Sequence, residues 1–320
     1  MKARRWPAAT LSRRALLLGG LCACCLRAAG RPAIAQPQAS ALSAVAPGIF
    51  VRRGLDEDAS AANDNGIANV AVIIGGEAVA VMDPGGSRRD GERLRAAIGQ
   101  VTKLPIRYIL LSHVHPDHVL GACAFAQDSA QIVAHARLPR ALALRGEYYR
   151  TRLAALLGSE RAGEIVQPTL LVEDHLALDL GGRKLRITAH GPAHSDCDIS
   201  AFDDSTRTLL AGDLLFVNRV PSLDGSCKGW LRELAALRAS GAVRAVPGHG
   251  PAVVDWPVGA ADLERYLGTL LRETRAAFAS GSSINAAIHS VGQGERERWK
   301  LFDDYHAHNV TQAYKEVEWE

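Results

Sequence analysis

The chain has 320 residues, with 37 Lys+Arg against 34 Asp+Glu and a net charge of +3. Hydrophobic residues make up 48% and charged residues 22%, which excludes a disordered, collagenous or coiled-coil chain, and no apolar run reaches the roughly 18 residues that a membrane-spanning helix needs. Such a length buries one large core or two smaller ones. The slight basicity implies an anionic partner only if the basic residues lie in the folded part.

They do not. Residues 1–35 hold Lys2, Arg4, Arg5, Arg13, Arg14, Arg27 and Arg31 and no acidic residue. The apolar run at 15–26 is too short to span a bilayer and suits the core of a signal peptide. Ser12-Arg13-Arg14-Ala15-Leu16-Leu17 resembles a twin-arginine export signal, and Ala33-Ile34-Ala35 is a small-x-small cleavage pattern before Gln36. The expectation is a cleaved twin-arginine-type signal peptide at 1–35 and a small, polar linker at 36–45. The working protein is then periplasmic, with no stable membrane insertion after cleavage. Without residues 1–35 the chain keeps 30 basic against 34 acidic residues, so +3 becomes −4. That remainder carries no basic cluster interleaved with aromatics, which argues against a nucleic-acid partner. Cys22, Cys24 and Cys25 belong to the leader, leaving Cys123, Cys197 and Cys227 without a CxxC pair. Three cysteines make neither a disulfide scaffold nor a cysteine zinc site. One bridge plus one thiol is compatible with the sequence, as are three thiols.

Further along, 69–74 and 77–83 read as strands of a hairpin turning at Gly75-Gly76. Helical periodicity covers 89–101, and 106–111 is a buried strand. A short strand at 131–133 precedes a helix at about 137–157, whose 140–161 stretch is a candidate specificity loop. Strand-like runs follow at 176–180, 184–188, 198–202 and 208–211. A helix at 229–239 leads to a strand at 243–246, and the tail from 262 is helical with a break at 281–283. Strands and helices alternate in two clusters with hairpins in each, which predicts an α/β protein with mixed sheets.

Residues 112–121 read SHVHPDHVLG, directly after the 106–111 strand. Eleven His in 320 residues predict about 0.2 per six-residue window, against the three found at 113–118. Imidazoles and a carboxylate at a strand end suit zinc, iron or manganese. His194 lies in a Gly/Pro turn after a strand, Asp213 follows the 208–211 strand, and His249 follows the 243–246 strand. Ligands on separate strand ends can converge on one site.

His113-x-His115-x-Asp117-His118, followed in order by His194, Asp213 and His249, resembles the metallo-β-lactamase superfamily over roughly 45–255. The resemblance implies a four-layer αββα sandwich over 46–257, with a C-terminal helical extension at 258–320. It implies two divalent metal ions, zinc being the expected metal. His113, His115 and His194 would hold the first, Asp117, His118 and His249 the second, and Asp213 would bridge them. Asp83 matches a supporting acid that orients a ligating imidazole, and a plain turn residue before Pro84 is the other reading. Cys197 reads as a small buried residue rather than a ligand.

The tail from Trp299 to Val310 with Tyr314 and 318–320, together with 194–198 and 218–225, resembles exported zinc metallohydrolases of the quinoprotein-relay type. His306 and His308 read as surface residues of a helix or as the rim of a pocket, while His135, His175, His190 and His289 read as structural. The activity implied is hydrolysis of an ester, thioester, lactone or amide bond in a small periplasmic molecule by a metal-bridging hydroxide, with Asp117 as the catalytic side chain. Three alternatives stay open. They are a β-lactamase, a mononuclear-iron oxidoreductase of the persulfide dioxygenase type, and a non-enzymatic accessory to a periplasmic quinoprotein dehydrogenase.

Overall fold

The computed structural model describes residues 41–320. The leader reading at 1–35 and the first part of the linker lie outside these residues. The first sheet joins seven strands in chain order: β1 (Ser43–Ala46), β2 (Ile49–Arg52), β3 (Val70–Ile74), β4 (Val79–Met82), β5 (Ile106–Leu111), β6 (Gln131–His135) and β7 (Leu170–Val172). Pairing is antiparallel from β1 to β4 and parallel from β4 to β7. The second sheet is built from β8 (His175–Asp179), β9 (Lys184–Ala189), β10 (Ile199–Asp203), β11 (Thr208–Phe216), β12 (Arg244–His249) and β13 (Val254–Asp255). Its one parallel pair is β11 with β12.

The first sheet and its connections carry α1 (Arg88–Val101), α2 (Pro116–Val119), α3 (Leu138–Ala141), α4 (Glu147–Leu157) and α5 (Ser159–Ala162). After the second sheet's β11 and β13 come α6 (Cys227–Arg238), α7 (Ala261–Ala279), α8 (Ile284–Ser290) and α9 (Phe302–Glu318). Alternation along the strands sorts the side chains into three apolar layers. Val70, Val72, Val79 and Val81 pack on Leu94 and Ile98 of α1. Their neighbours Ala71, Ile73, Ala80 and Met82 face Leu185, Ile187, Ile199 and Leu210 of the other sheet. Leu209 and Ala211 then pack on Trp230 of α6, Leu267 of α7 and Val310 of α9. Two mixed sheets face to face with helices outside both make the expected αββα sandwich, and a C-terminal helical region covers the second sheet.

Differences from the expectation are local. Residues 43–45, expected in a linker, form most of β1, and β2 has no counterpart among the expected strands. Both are short strands, and β1 takes its place only by long-range pairing, which local pattern does not report. The strand expected to end at 211 runs to Phe216, so Asp213 lies inside β11 rather than at its end. The pairing with β12 slips around Gly212, which has φ +52° and whose added Cβ would press on Ser112. The 137–157 helix divides into α3, one wide π turn at Leu142–Gly146, and α4. Helix α6 starts two residues early because the Ser226 side chain accepts from the Gly229 N–H. The break at 281–283 is present, with Ser283 capping α8.

Candidate metal centre

Strand β5 delivers its last residues to an edge of the sandwich, and the 112–118 turn folds over that edge. Pro116 starts α2 and turns Asp117 and His118 away from His113 and His115. The loop after β9 brings His194, the irregular stretch of β11 brings Asp213, and the end of β12 brings His249.

The seven side chains fall into two groups. His113, His115, His194 and Asp213 form one, with donor atoms within 4.8 Å of one another, and Asp117, His118 and His249 form the other under the same limit. Asp213 faces both. Its Oδ2 lies 3.6 Å from His113 Nε2 and 3.4 Å from His194 Nε2. Its Oδ1 lies 3.2 Å from His118 Nε2 and 3.5 Å from His249 Nε2. Asp117 Oδ2 completes the second group at 3.2 Å from His249 Nε2 and 3.5 Å from His118 Nε2. Donors around a tetrahedral ion with bonds of about 2.0–2.1 Å sit about 3.4 Å apart, and the carboxylate–imidazole separations in both groups, 3.2–3.6 Å, match that spacing. His113 Nε2, His118 Nε2 and Asp213 Oδ1 are buried without a hydrogen-bond partner. Buried polar atoms are rarely left so, and a cation at each locus would satisfy them. The donor set therefore fits divalent ions.

Electrostatics agree. Burial and neighbouring imidazoles drive His113 well below its ordinary pKa. Burial takes His194 down to about 4, against the pull of Asp213. Both imidazoles are thus neutral, the form that ligates. In the second group, burial opposes charge on His118, but Asp213, Asp83 and Asp117 outweigh it and raise the pKa. His249 is raised likewise, chiefly by Asp213 against burial. Burial pushes Asp117 and Asp213 up, yet His118 and His249 hold both well below the usual carboxylate range. The pocket draws positive charge to the second locus.

The far nitrogen of four of the five imidazoles is anchored, which fixes tautomer and ring angle. Ser112 Oγ lies 2.9 Å from His113 Nδ1. Asp83 accepts from His118 Nδ1 at 2.9 Å and from the Ser112 N–H at 2.8 Å, so it anchors the His118 ring from a turn, at φ +60°. The Ile67 carbonyl accepts from His249 Nδ1 at 3.0 Å. Asp224 accepts from His115 Nε2 at 2.8 Å. His194 differs, its Nδ1 having no partner, and its ring is held by packing on Trp230 and Phe216.

Asp224 belongs to the 218–225 motif, and its role emerges only in the fold. It also accepts from Arg145 Nη1 at 2.8 Å and from His308 Nε2 at 3.1 Å. The available signal was an acid in a Pro/Gly loop between a strand and a Ser-capped helix. His308 lines the cavity above the centre, whereas His306 is buried between the Tyr266 hydroxyl and the Val291 carbonyl, so neither is a plain surface residue. Arg219 of the 218–225 motif, Tyr305 of the tail motif and Tyr149 of the 140–161 stretch, none of them with a role assigned from sequence, also line that cavity, whose volume is about 920 Å³. His190 is structural, joining Ser200 and Glu233. Cys123, Cys197 and Cys227 are free, buried thiols. Burial pushes Cys197 up to about 12, far from a ligating thiolate.

Residues 63–249 match the family model of the metallo-beta-lactamase superfamily. The chain is 31% identical over 186 residues to the acyl-coenzyme A thioesterase MBLAC2 of Homo sapiens, covering 51% of this chain and 61% of that protein. It is 25% identical over 214 residues to a linear primary-alkylsulfatase of Pseudomonas sp. (strain ATCC 19151), covering 55% and 40%. The chain thus spans less than two thirds of either curated relative. Among solved structures, a metallo-beta-lactamase family protein of Thermus thermophilus superposes with a TM-score of 0.62 at 23% identity, covering 85% of this chain and 93% of that one. The sec-alkylsulfatase Pisa1 of Pseudomonas sp. superposes at 0.64 and 17% identity, covering 86% and 50%. These two likenesses concern the fold.

Proposed function

The chain belongs to the metallo-beta-lactamase superfamily, and we propose that it is a dinuclear, zinc-dependent hydrolase that cleaves an ester or thioester bond in a small periplasmic molecule. The observation that carries this reading is Asp213, whose two oxygens face two separate donor sets. The thioesterase among its relatives favours the thioester. The arginine-rich, acid-free stretch at 1–35 supports export.

Divalent cations held at such a centre supply Lewis acidity, which acidifies water near neutral pH and polarises a carbonyl oxygen. The chain's own groups do the rest. Asp117 is 8% exposed and lines the cavity floor, so its carboxylate meets both the second donor set and incoming substrate. Held anionic by His118 and His249 against the cost of burial, it can orient a water, accept its proton at a carboxylate oxygen, and pass that proton to a leaving thiolate or alkoxide. Phe216 stacks on His249 at 5.0 Å and Tyr149 meets His115 edge-on at 6.1 Å. These rings exclude bulk water around the ligands, which strengthens the electrostatics of the reaction. The anchored imidazoles keep their lone pairs aimed inward throughout.

The test is a substrate screen of ester, thioester, lactone and β-lactam probes with the metal-loaded protein and an Asp117→Asn variant. Thioester or ester turnover that falls at least 100-fold in the variant supports the reading. Turnover confined to β-lactams, or unchanged in the variant, contradicts it.

A further inference from the structure

One face of α4 forms a wall of the cavity, and its composition is unusual. Tyr148, Arg152 and Leu156 follow one another at four-residue intervals, which places them along one side of the helix, with Tyr149 and Leu153 beside them. Tyr148 is 62% and Leu156 43% exposed. Large apolar side chains grouped on a cavity wall, rather than scattered singly, mark a surface that awaits an apolar partner.

The charged groups of the cavity other than Arg152 are engaged. Asp117 and Asp213 face the histidines, and Asp224 holds His115, His308 and Arg145. Asp58 accepts from the Tyr305 hydroxyl. Arg219 donates to that hydroxyl and to the Glu57 carbonyl. Neighbouring arginines are spoken for as well, Arg150 by Glu147 and Arg161 by Asp64. Arg152 is different. It lines the cavity and has no hydrogen-bond or ion-pair partner among the described residues. Its guanidinium presents a fork suited to an oxyacid anion, and along the helix it stands between Tyr148 and Leu156.

We propose that the cavity takes a small anionic amphiphile, with an alkyl or acyl chain along Tyr148, Leu153 and Leu156 and a carboxylate, phosphate or sulfate on Arg152. The proposal rests on the reading that this cavity is the substrate site. It narrows the substrate from any ester or thioester to one bearing a negative group away from the scissile bond. Arg152 and the α4 side chains are then specificity-determining residues, separate from the metal ligands.

Binding tests this without turnover. Calorimetric titration of the metal-loaded protein with octanoate, octyl phosphate, octyl sulfate, octanol and octyltrimethylammonium separates the head groups at constant chain length. The wild type should bind at least one of the three anions about tenfold more tightly than octanol and the cation, as one charge-assisted contact implies, with the strongest anion identifying the head group. Arg152→Ala should erase that preference and leave octanol binding intact. Leu156→Ala should weaken anion and alcohol alike. Equal affinity for anion and cation, or an anion preference that persists in Arg152→Ala, overturns the proposal, the latter placing the anion on the metals. Binding to anionic vesicles but not to monomeric octyl anions also overturns it, assigning the stripe to a lipid surface. A protein that binds as expected yet hydrolyses no ester or thioester refutes the hydrolase reading and leaves this one standing.

Discussion

Replacing Asp224 by Ala should damage the first donor set and spare the second. Burial pushes the Asp224 carboxyl up, but hydrogen bonds from His115 and His308 outweigh it and keep the group far below the usual carboxylate range. It is therefore a full anion, with donors at 2.8, 2.8 and 3.1 Å from His115, Arg145 and His308. Only the first of these touches a ligand of the centre. The other two hold the carboxylate in place from the π turn before α4 and from α9. Removing the anchor of a ligating imidazole costs about 10–100-fold in metal affinity, or about 1.4–2.8 kcal/mol. His308→Ala and Arg145→Ala keep the His115 contact and should each cost less than about tenfold. Asp83→Asn, at the corresponding anchor of His118, should strike the second set. Competition titrations with a chromophoric chelator resolve two affinities per chain and assign the loss. Unchanged affinities in Asp224→Ala, or an equal fall at both loci, would refute the reasoning.

Two other perturbations probe different links. A Cβ added at Gly248 would run into Asp213 Oδ1 and the Gly212 backbone, so Gly248→Ala should release metal while circular dichroism still reports a folded sandwich; full metal content in that variant contradicts the packing. Burial raises Asp198 to about 6, against hydrogen bonds from Ser195, so the folded state favours its neutral form. Its contribution to stability is present below about pH 4 and lost as pH climbs through about 6, roughly 3 kcal/mol in all. Urea unfolding of the metal-free protein should show Asp198→Asn gaining about that much on the wild type between about pH 4 and pH 7, and parallel pH profiles would be evidence against it.

The candidate metal donors were legible because six of the seven sit on short motifs beside strand ends, where sequence pattern and position coincide. Asp213 was legible from its place after an apolar run and from its order in the family pattern, although the fold places it inside an irregular strand rather than at a strand end. The mixed sheets followed from the alternation of strands and helices, and the layered sandwich from the family resemblance, because β3, β4 and β11 are apolar on both faces. What stayed hidden depends on distant chain segments meeting. Asp224 acquires its role only when α9 and the π turn before α4 close on it, about 80 residues away in both directions. Strand β1 needs β2 as a partner, and Arg152 stands out only because the arginines near it have partners. His306 and His308 look alike in sequence, two residues apart, yet the helix turns one into the core and the other into the cavity.

Metal content of the purified protein, measured beside Asp213→Ala, tests the central claim most directly. A centre in which one carboxylate serves two donor sets predicts two zinc ions per chain in the wild type and loss of both in the variant. A single iron per chain, or a variant that keeps both ions, would contradict it.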